Sequence, residues 1–188
     1  IKESPSANFT NSTPCINEVI QFTDLTTTGT TFLSSHQWDF GDLTGSTLPN
    51  PIHTYNTSNN FNVQLIAIAN NGCKDTLTKT LTIYPKPNPS FVNIADVCAE
   101  EKISITNNST IDSGNISSYQ WSFGDGITST SEEHPSITYN SSGVKQIGLI
   151  ATSNQNCIDS TYQTVTIYPK PTASFTESTQ YGTAPLLV

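Results

Sequence analysis

The chain has 188 residues and a formal net charge of −8; only 12% of it is charged, and all seven basic residues are Lys. Thr, Ser and Asn (29, 23 and 18 residues) fill more than a third of the positions, which suits solvent-facing strands and turns better than helices. An acidic chain without Arg lacks the cationic density that nucleic-acid binding needs, and it has no run of about 18 apolar residues to span a membrane.

In chain order, Phe9 opens a short leading strand and Cys15 sits just before the second. Trp38 and Phe40 then alternate with Asp39, so one face of that strand carries two aromatics. They read as core rather than as an exposed sugar-stacking platform. Gly41 supplies a tight turn, in which Asp42 can accept backbone N–H groups. Val63, Leu65, Ala67 and Ala69 alternate with Gln64, Ile66 and Ile68, a strand apolar on both faces. After the Asn71-Gly72 turn, Leu77, Leu81 and Ile83 spaced by Thr and Lys mark a strand with a polar outer face. Tyr84-Pro85-Lys86-Pro87-Asn88-Pro89 then places Pro at every second position. Pro fixes its own φ near −65° and holds the preceding residue extended, so this stretch predicts a semi-rigid polyproline-II-like joint between domains lying end to end.

The second half restates the first. Trp38 recurs as Trp121, Cys15 as Cys98, Cys73 as Cys157, and Tyr84-Pro-Lys-Pro87 as Tyr168-Pro-Lys-Pro171, all at offsets of 83 or 84. Duplicated domains with small loop changes give this pattern. We read one domain over 1–87, a second over 88–171, and the start of a third over 172–188, where Ala173-Ser174-Phe175-Thr176 resembles Ala7-Asn8-Phe9-Thr10. Short strands at this spacing predict an all-β fold of tandem sandwiches. The absence of Met means that residue 1 is not a translation start, so the chain reads as a piece of something longer.

Two cysteines fall in each repeat. Their matched places favour Cys15–Cys73 and Cys98–Cys157, the one connectivity of three that lets each domain fold as a unit. With no Cys-x-x-Cys and with His scattered at 36, 53 and 134, a zinc site is disfavoured. Disulfides imply an oxidising compartment.

The most specific residues are Trp38-Asp39-Phe40-Gly41-Asp42, then His53-Thr54-Tyr55, then Asn60-Phe61-Asn62-Val63. The second copy has Trp121-Ser122-Phe123-Gly124-Asp125-Gly126, then Ile137-Thr138-Tyr139, then Gly143-Val144. This ordered set resembles the PKD domain family, whose signature is a Trp-Asp-Phe-Gly-Asp-Gly strand and turn, a His-x-Tyr and a Gly-x-Tyr-x-Val strand. Departures are Leu43 for the second Gly and Asn60 for the strand-opening Gly in the first copy, and Ser122 for Asp and Ile137 for His in the second. The resemblance implies an Ig-like β-sandwich, mostly extracellular and often in arrays.

Some modules of this kind bind calcium, and Asp24, Asp39 and Asp42 could offer hard oxygen ligands. No other cofactor is implied. Asp75-Thr76-Leu77 recurs as Asp159-Ser160-Thr161, each two residues past the second Cys. It resembles the O-glycosylation acceptor of Bacteroidetes and makes Thr76 and Ser160 candidates. The plainer reading is a polar strand start. No nucleophile elbow, zinc-protease motif, phosphate loop or triad occurs, so a non-enzymatic role is expected. The composite expectation is a stalk, spacer or adhesive segment of a large bacterial cell-surface adhesin, including the gliding-motility type. Its partners would be surface glycans, protein ligands or neighbouring repeats. The alternative is an accessory module of a secreted protease or polysaccharide hydrolase.

Overall fold

Period-two runs separated by left-handed turns leave the chain little choice but strands. The computed structural model describes residues 3–92, 94–132 and 136–176, and among these every regular element is a strand. Repeat 1 contains β1 (Phe9–Asn11), β2 (Ile20–Asp24), β3 (Leu33–Asp39), β4 (Gly45–Ser46), β5 (Ile52–His53), β6 (Asn60–Ala69) and β7 (Lys74–Thr82). Repeat 2 contains β8 (Val97–Cys98), β9 (Lys102–Ser104), β10 (Ile116–Ser122), β11 (Thr128–Ser129), β12 (Ser136–Thr138), β13 (Gly143–Ser153) and β14 (Ile158–Tyr168).

Each repeat is two sheets closed over one core. Repeat 1 packs the order β1-β2-β5 against β4-β3-β6-β7, and repeat 2 packs β12-β9 against β11-β10-β13-β14-β8. The last pair, β14 with β8, is parallel, and Cys15 makes the matching parallel bridge to Tyr84 in repeat 1. The alternation of β6 puts Val63, Leu65, Ala67 and Ala69 in the core and leaves Gln64, Ile66 and Ile68 half-buried outside. Ile147, Leu149 and Ala151 take these places in β13. Trp38 and Trp121 stand beside them in the same sheets, and the core is completed by Phe9, Ile20 and Phe22 in repeat 1 and by Phe91, Ile103 and Ile105 in repeat 2. The register slips at the same point of both central strand pairs, β3 with β6 and β10 with β13, between Leu33 and Ser35 and between Ile116 and Ser118.

The expected disulfide pairing is wrong. The bond is Cys15–Cys157, across the two repeats, while Cys73 and Cys98 are free thiols. The reason is strand length. Cys15 lies beside Tyr84, past the end of β7, whereas Cys73 lies in the turn before β7 begins. Eleven steps of extended chain separate those ends by about 36 Å, far beyond the roughly 7 Å a disulfide allows between Cα atoms. The same argument forbids Cys98–Cys157 along β14. Of the expected third repeat, residues 172–176 are described and form no strand, with Phe175 exposed, and 177–188 lie outside the described residues.

Candidate functional site at the joint between the repeats

The signature residues build the core and its rim in each repeat. Trp38 and Trp121 are buried, and their indole N–H groups donate to the carbonyls of Leu48 and Ser131 at 2.9 and 3.1 Å. Tyr55 and Tyr139 donate their hydroxyls to the carbonyls of Phe40 and Phe123 at 2.9 and 2.7 Å, pinning the strand end to the loop. Burial and the nearby Asp42 and Asp39 raise the Tyr55 hydroxyl above its usual range, and burial with Asp125 takes Tyr139 up to about 12. Gly41 and Gly124 both sit at φ 77°, where an added Cβ would meet the backbone of Asn62 or Gln146 at 2.8 Å. Both glycines are thus required by conformation and by space. None of these aromatics forms a platform open to solvent.

The carboxylates are spent locally. Asp39 accepts the Gly41 N–H at 2.8 Å, and Asp42 accepts from Thr44 and, at 2.7 Å, from the His53 ring. Burial pushes the Asp42 carboxyl up, but hydrogen bonds from Thr44 and His53 outweigh this and hold it below its ordinary value. His53 also stacks on Phe40 at 4.2 Å between ring centres. Asp24 pairs with His36 at 2.8 Å and with Thr26. Asp24, Asp39 and Asp42 therefore serve separate partners, and among the described residues no three His, Cys, Asp or Glu side chains converge. Thr76 and Ser160 lie exposed on β7 and β14, as strand residues.

The feature that joins distant sequence is the joint. Pro85, Pro87 and Pro89 are buried and Tyr84 is half-buried. Directly after Pro87, Asn88 exchanges two backbone hydrogen bonds with Thr110 at 2.7 and 3.2 Å, the opening pair of repeat 2, as Ser6 and Thr27 pair in repeat 1. Behind this, the turn carrying Cys15 is tied to the end of repeat 1, because Ile16 donates to the Tyr84 carbonyl at 2.9 Å. Glu18 in the same turn pairs with Lys86. Cys157 stands in the β13–β14 turn of repeat 2, with Cα–Cα 5.7 Å to Cys15. The C-terminal end of one sandwich thus abuts the N-terminal end of the next. A cleft of about 320 Å³ lined by Cys15, Glu18, Lys86, Asn156 and Ile158 remains beside the bridge. All four cysteines and both proline runs are plain in the sequence, but their meeting at the joint depends on which turns the two sandwiches bring together.

The two halves share sheet order, signature contacts and turn geometry, and the family model described as a PKD domain matches residues 2–84 and again 84–168. The chain belongs to the PKD domain family. Among solved structures, the PKD1 domain of the Vibrio cholerae metalloprotease PrtV is 31% identical, covering 44% of this chain and 98% of that one, with a TM-score of 0.40. The PKD1 domain of Vibrio anguillarum Epp is 25% identical, covering 43% of this chain and 93% of that one, also with a TM-score of 0.40. The fibronectin(III)-like modules of Clostridium thermocellum CbhA are 16% identical over 87% of this chain and 94% of that one, with a TM-score of 0.48. Among the described residues no helix is long and apolar enough to cross a membrane.

Proposed function

We propose that this pair of PKD domains is a stiff, non-catalytic spacer in an extracellular bacterial adhesin, setting a fixed distance and direction between what lies on either side of it. The observation that carries the reading is the joint. A hinge needs a solvated, rotatable linker, whereas here Pro85, Pro87 and Pro89 are buried and Cys15–Cys157 ties the two sandwiches a second time. Two connections between two rigid bodies remove most of their relative rotation, as a single polyproline strand alone does not. The disulfide favours an oxidising setting outside the cytoplasm. The scarcity of charge and the small polar strand faces suit a surface that binds little on its own. A gliding-motility adhesin of Bacteroidetes type is the setting in which such repeats would serve best.

Spin labels on the two repeats, read by pulsed electron resonance, test this. A single narrow distance distribution is expected. It should broaden when Pro85, Pro87 and Pro89 are replaced by Gly in the presence of reductant, at a temperature where both repeats are still folded. A broad distribution in the oxidised native chain would overturn the spacer reading.

A further inference from the structure

Each half of the bridge exists twice in this chain. The turn that carries Cys15 is reproduced around Cys98: Ile16 donates to Tyr84 at 2.9 Å as Ala99 does to Tyr168, and Asn17 donates to Tyr55 at 2.9 Å as Glu100 does to Tyr139 at 2.8 Å. Asn17 and Glu100 both take a left-handed φ, 59° and 71°. The turn that carries Cys157 is likewise reproduced around Cys73. Ser153 donates to the Cys157 carbonyl and Ala69 to that of Cys73, both at 2.8 Å, and Asn156 and Gly72 are left-handed at φ 62° and 83°. So Cys98 is held as Cys15 is, and Cys73 as Cys157 is. The difference lies in cover. Cys15 and Cys157 are buried, whereas Cys73 and Cys98 are only half-buried. Tyr168, Pro169 and Pro171, the counterparts of Tyr84, Pro85 and Pro87, are exposed.

Resting on the spacer reading, we propose that Cys98 and Cys73 are the two open ends of one repeating staple. Cys98 takes the cysteine of a PKD repeat that follows Pro171, presented in that repeat's turn corresponding to Cys157. Cys73 takes the Cys15-type cysteine of a repeat that precedes. The partner is therefore another repeat of the same kind in the same chain. It is argued from the run of Tyr168-Pro-Lys-Pro171 straight out of β14, as the joint runs from β7, and from the likeness of Ala173-Ser174-Phe175-Thr176 to the leading strand. The staple joins each repeat to the next, never to itself, so an array is cross-linked along its whole length. In each bond two thiols give up two protons and two electrons to a small-molecule disulfide such as oxidised glutathione, which leaves as two thiols.

The test is a three-repeat chain: residues 1–171 continued by a second copy of 88–171, the added copy marked by Ile158→Val so that its cysteine peptide differs in mass. After refolding in a glutathione redox buffer, non-reducing peptide mapping should join Cys98 to Cys157 of the added copy. Alkylation of Cys98 should fall from complete in the 188-residue chain to near zero, and return in full when the added copy carries Cys157→Ser. Cys15–Cys157 of the original pair is read in the same map. If that bond is present while Cys98 stays free or joins Cys73, the inference fails and the spacer joint stands. If Cys15–Cys157 is absent too, the joint itself fails. A mirror chain, with a copy of residues 3–87 joined ahead of Ser6, guards against misfolding of the added unit. There Cys73 should become bonded to Cys15 of the added copy, and a free Cys73 beside an intact Cys15–Cys157 overturns the inference equally.

Discussion

Repeats 1 and 2 build the same central sheet, β4-β3-β6-β7 and β11-β10-β13-β14, yet their exits differ. Tyr84-Pro85-Lys86-Pro87 leaves β7 with both prolines buried, while Tyr168-Pro169-Lys170-Pro171 leaves β14 with both exposed and Tyr168 at 51% exposure. The residues are identical, so local conformational preference is the same at both exits. What differs is the sandwich beyond. Repeat 2 sets Ile111, Ser113 and Gly114 and the turn at Ser153–Gln155 beside Tyr84 and Pro85 of the first exit. The stiffness of the joint is therefore a tertiary property: proline restricts the chain, but packing and the cross-link fix it.

The largest effect that can be made on this comparison is to unfold one repeat and watch the joint. Trp38 and Trp121 each sit at the centre of an aromatic cluster, Phe9 lying 5.2 Å from Trp38 and Phe91 5.3 Å from Trp121 between ring centres. Trp→Ala at either place should cost about 3–5 kcal/mol. Trp121→Ala should turn the first exit into a likeness of the second, with hydrogen-exchange protection lost at the Asn88 N–H. Trp38→Ala should leave that protection in place. Exchange at Asn88 that is equally fast in both variants, or in neither, would show that the two repeats do not fold as separate units.

A cross-link shared by two domains has a different signature from one inside a domain. With repeat 2 folded, unfolding repeat 1 leaves a closed loop of roughly 70 residues, and the converse is nearly the same, so the chain-entropy model gives roughly 4 kcal/mol either way. Cys157→Ser, a change in repeat 2, should lower the melting transition of repeat 1 as well. Calorimetry in which only the second repeat responds would argue for a bond within that repeat instead.

That outcome also shows what could be read from the sequence. The strand periods, the buried face of Val63, Leu65 and Ala67, the Trp-x-Phe-Gly-Asp turn and the duplication were all visible, because each rests on local pattern. The cystine pairing was not, because matched positions are as consistent with a link from each repeat to the next as with one inside each. The length of β7 settles the matter: nine strand residues, Lys74 to Thr82, carry the chain from the Cys73 turn to the Cys15 end. Measuring that strand against disulfide reach would have excluded the internal pair. The local bonding of Asp24 and Asp42 to His36 and His53 was equally hidden, since it depends on which loops the sheets bring together.

The smallest test concerns how interchangeable the repeats are at one turn residue. Leu43 stands where the second copy has Gly126, and both are left-handed, at φ 72° and 87°. Leu43 is fully exposed, so its side chain gains nothing from packing to offset a conformation in which Cβ crowds the following carbonyl. A Cβ at Gly126 would meet nothing within 4 Å, so the strain there is of the backbone alone. Leu43→Gly should therefore stabilise repeat 1, and Gly126→Leu destabilise repeat 2, each by about 1 kcal/mol; the greater freedom of Gly in the unfolded chain trims both values. The measurement is chemical denaturation of the two single variants and of the swapped double variant. Opposite shifts of similar size that cancel in the double variant are expected, because the sites lie in different repeats and share no partner. A Leu43→Gly change that destabilises would mean that repeat 1 uses this leucine for something the backbone angle does not reveal, and that the two turns are not equivalent.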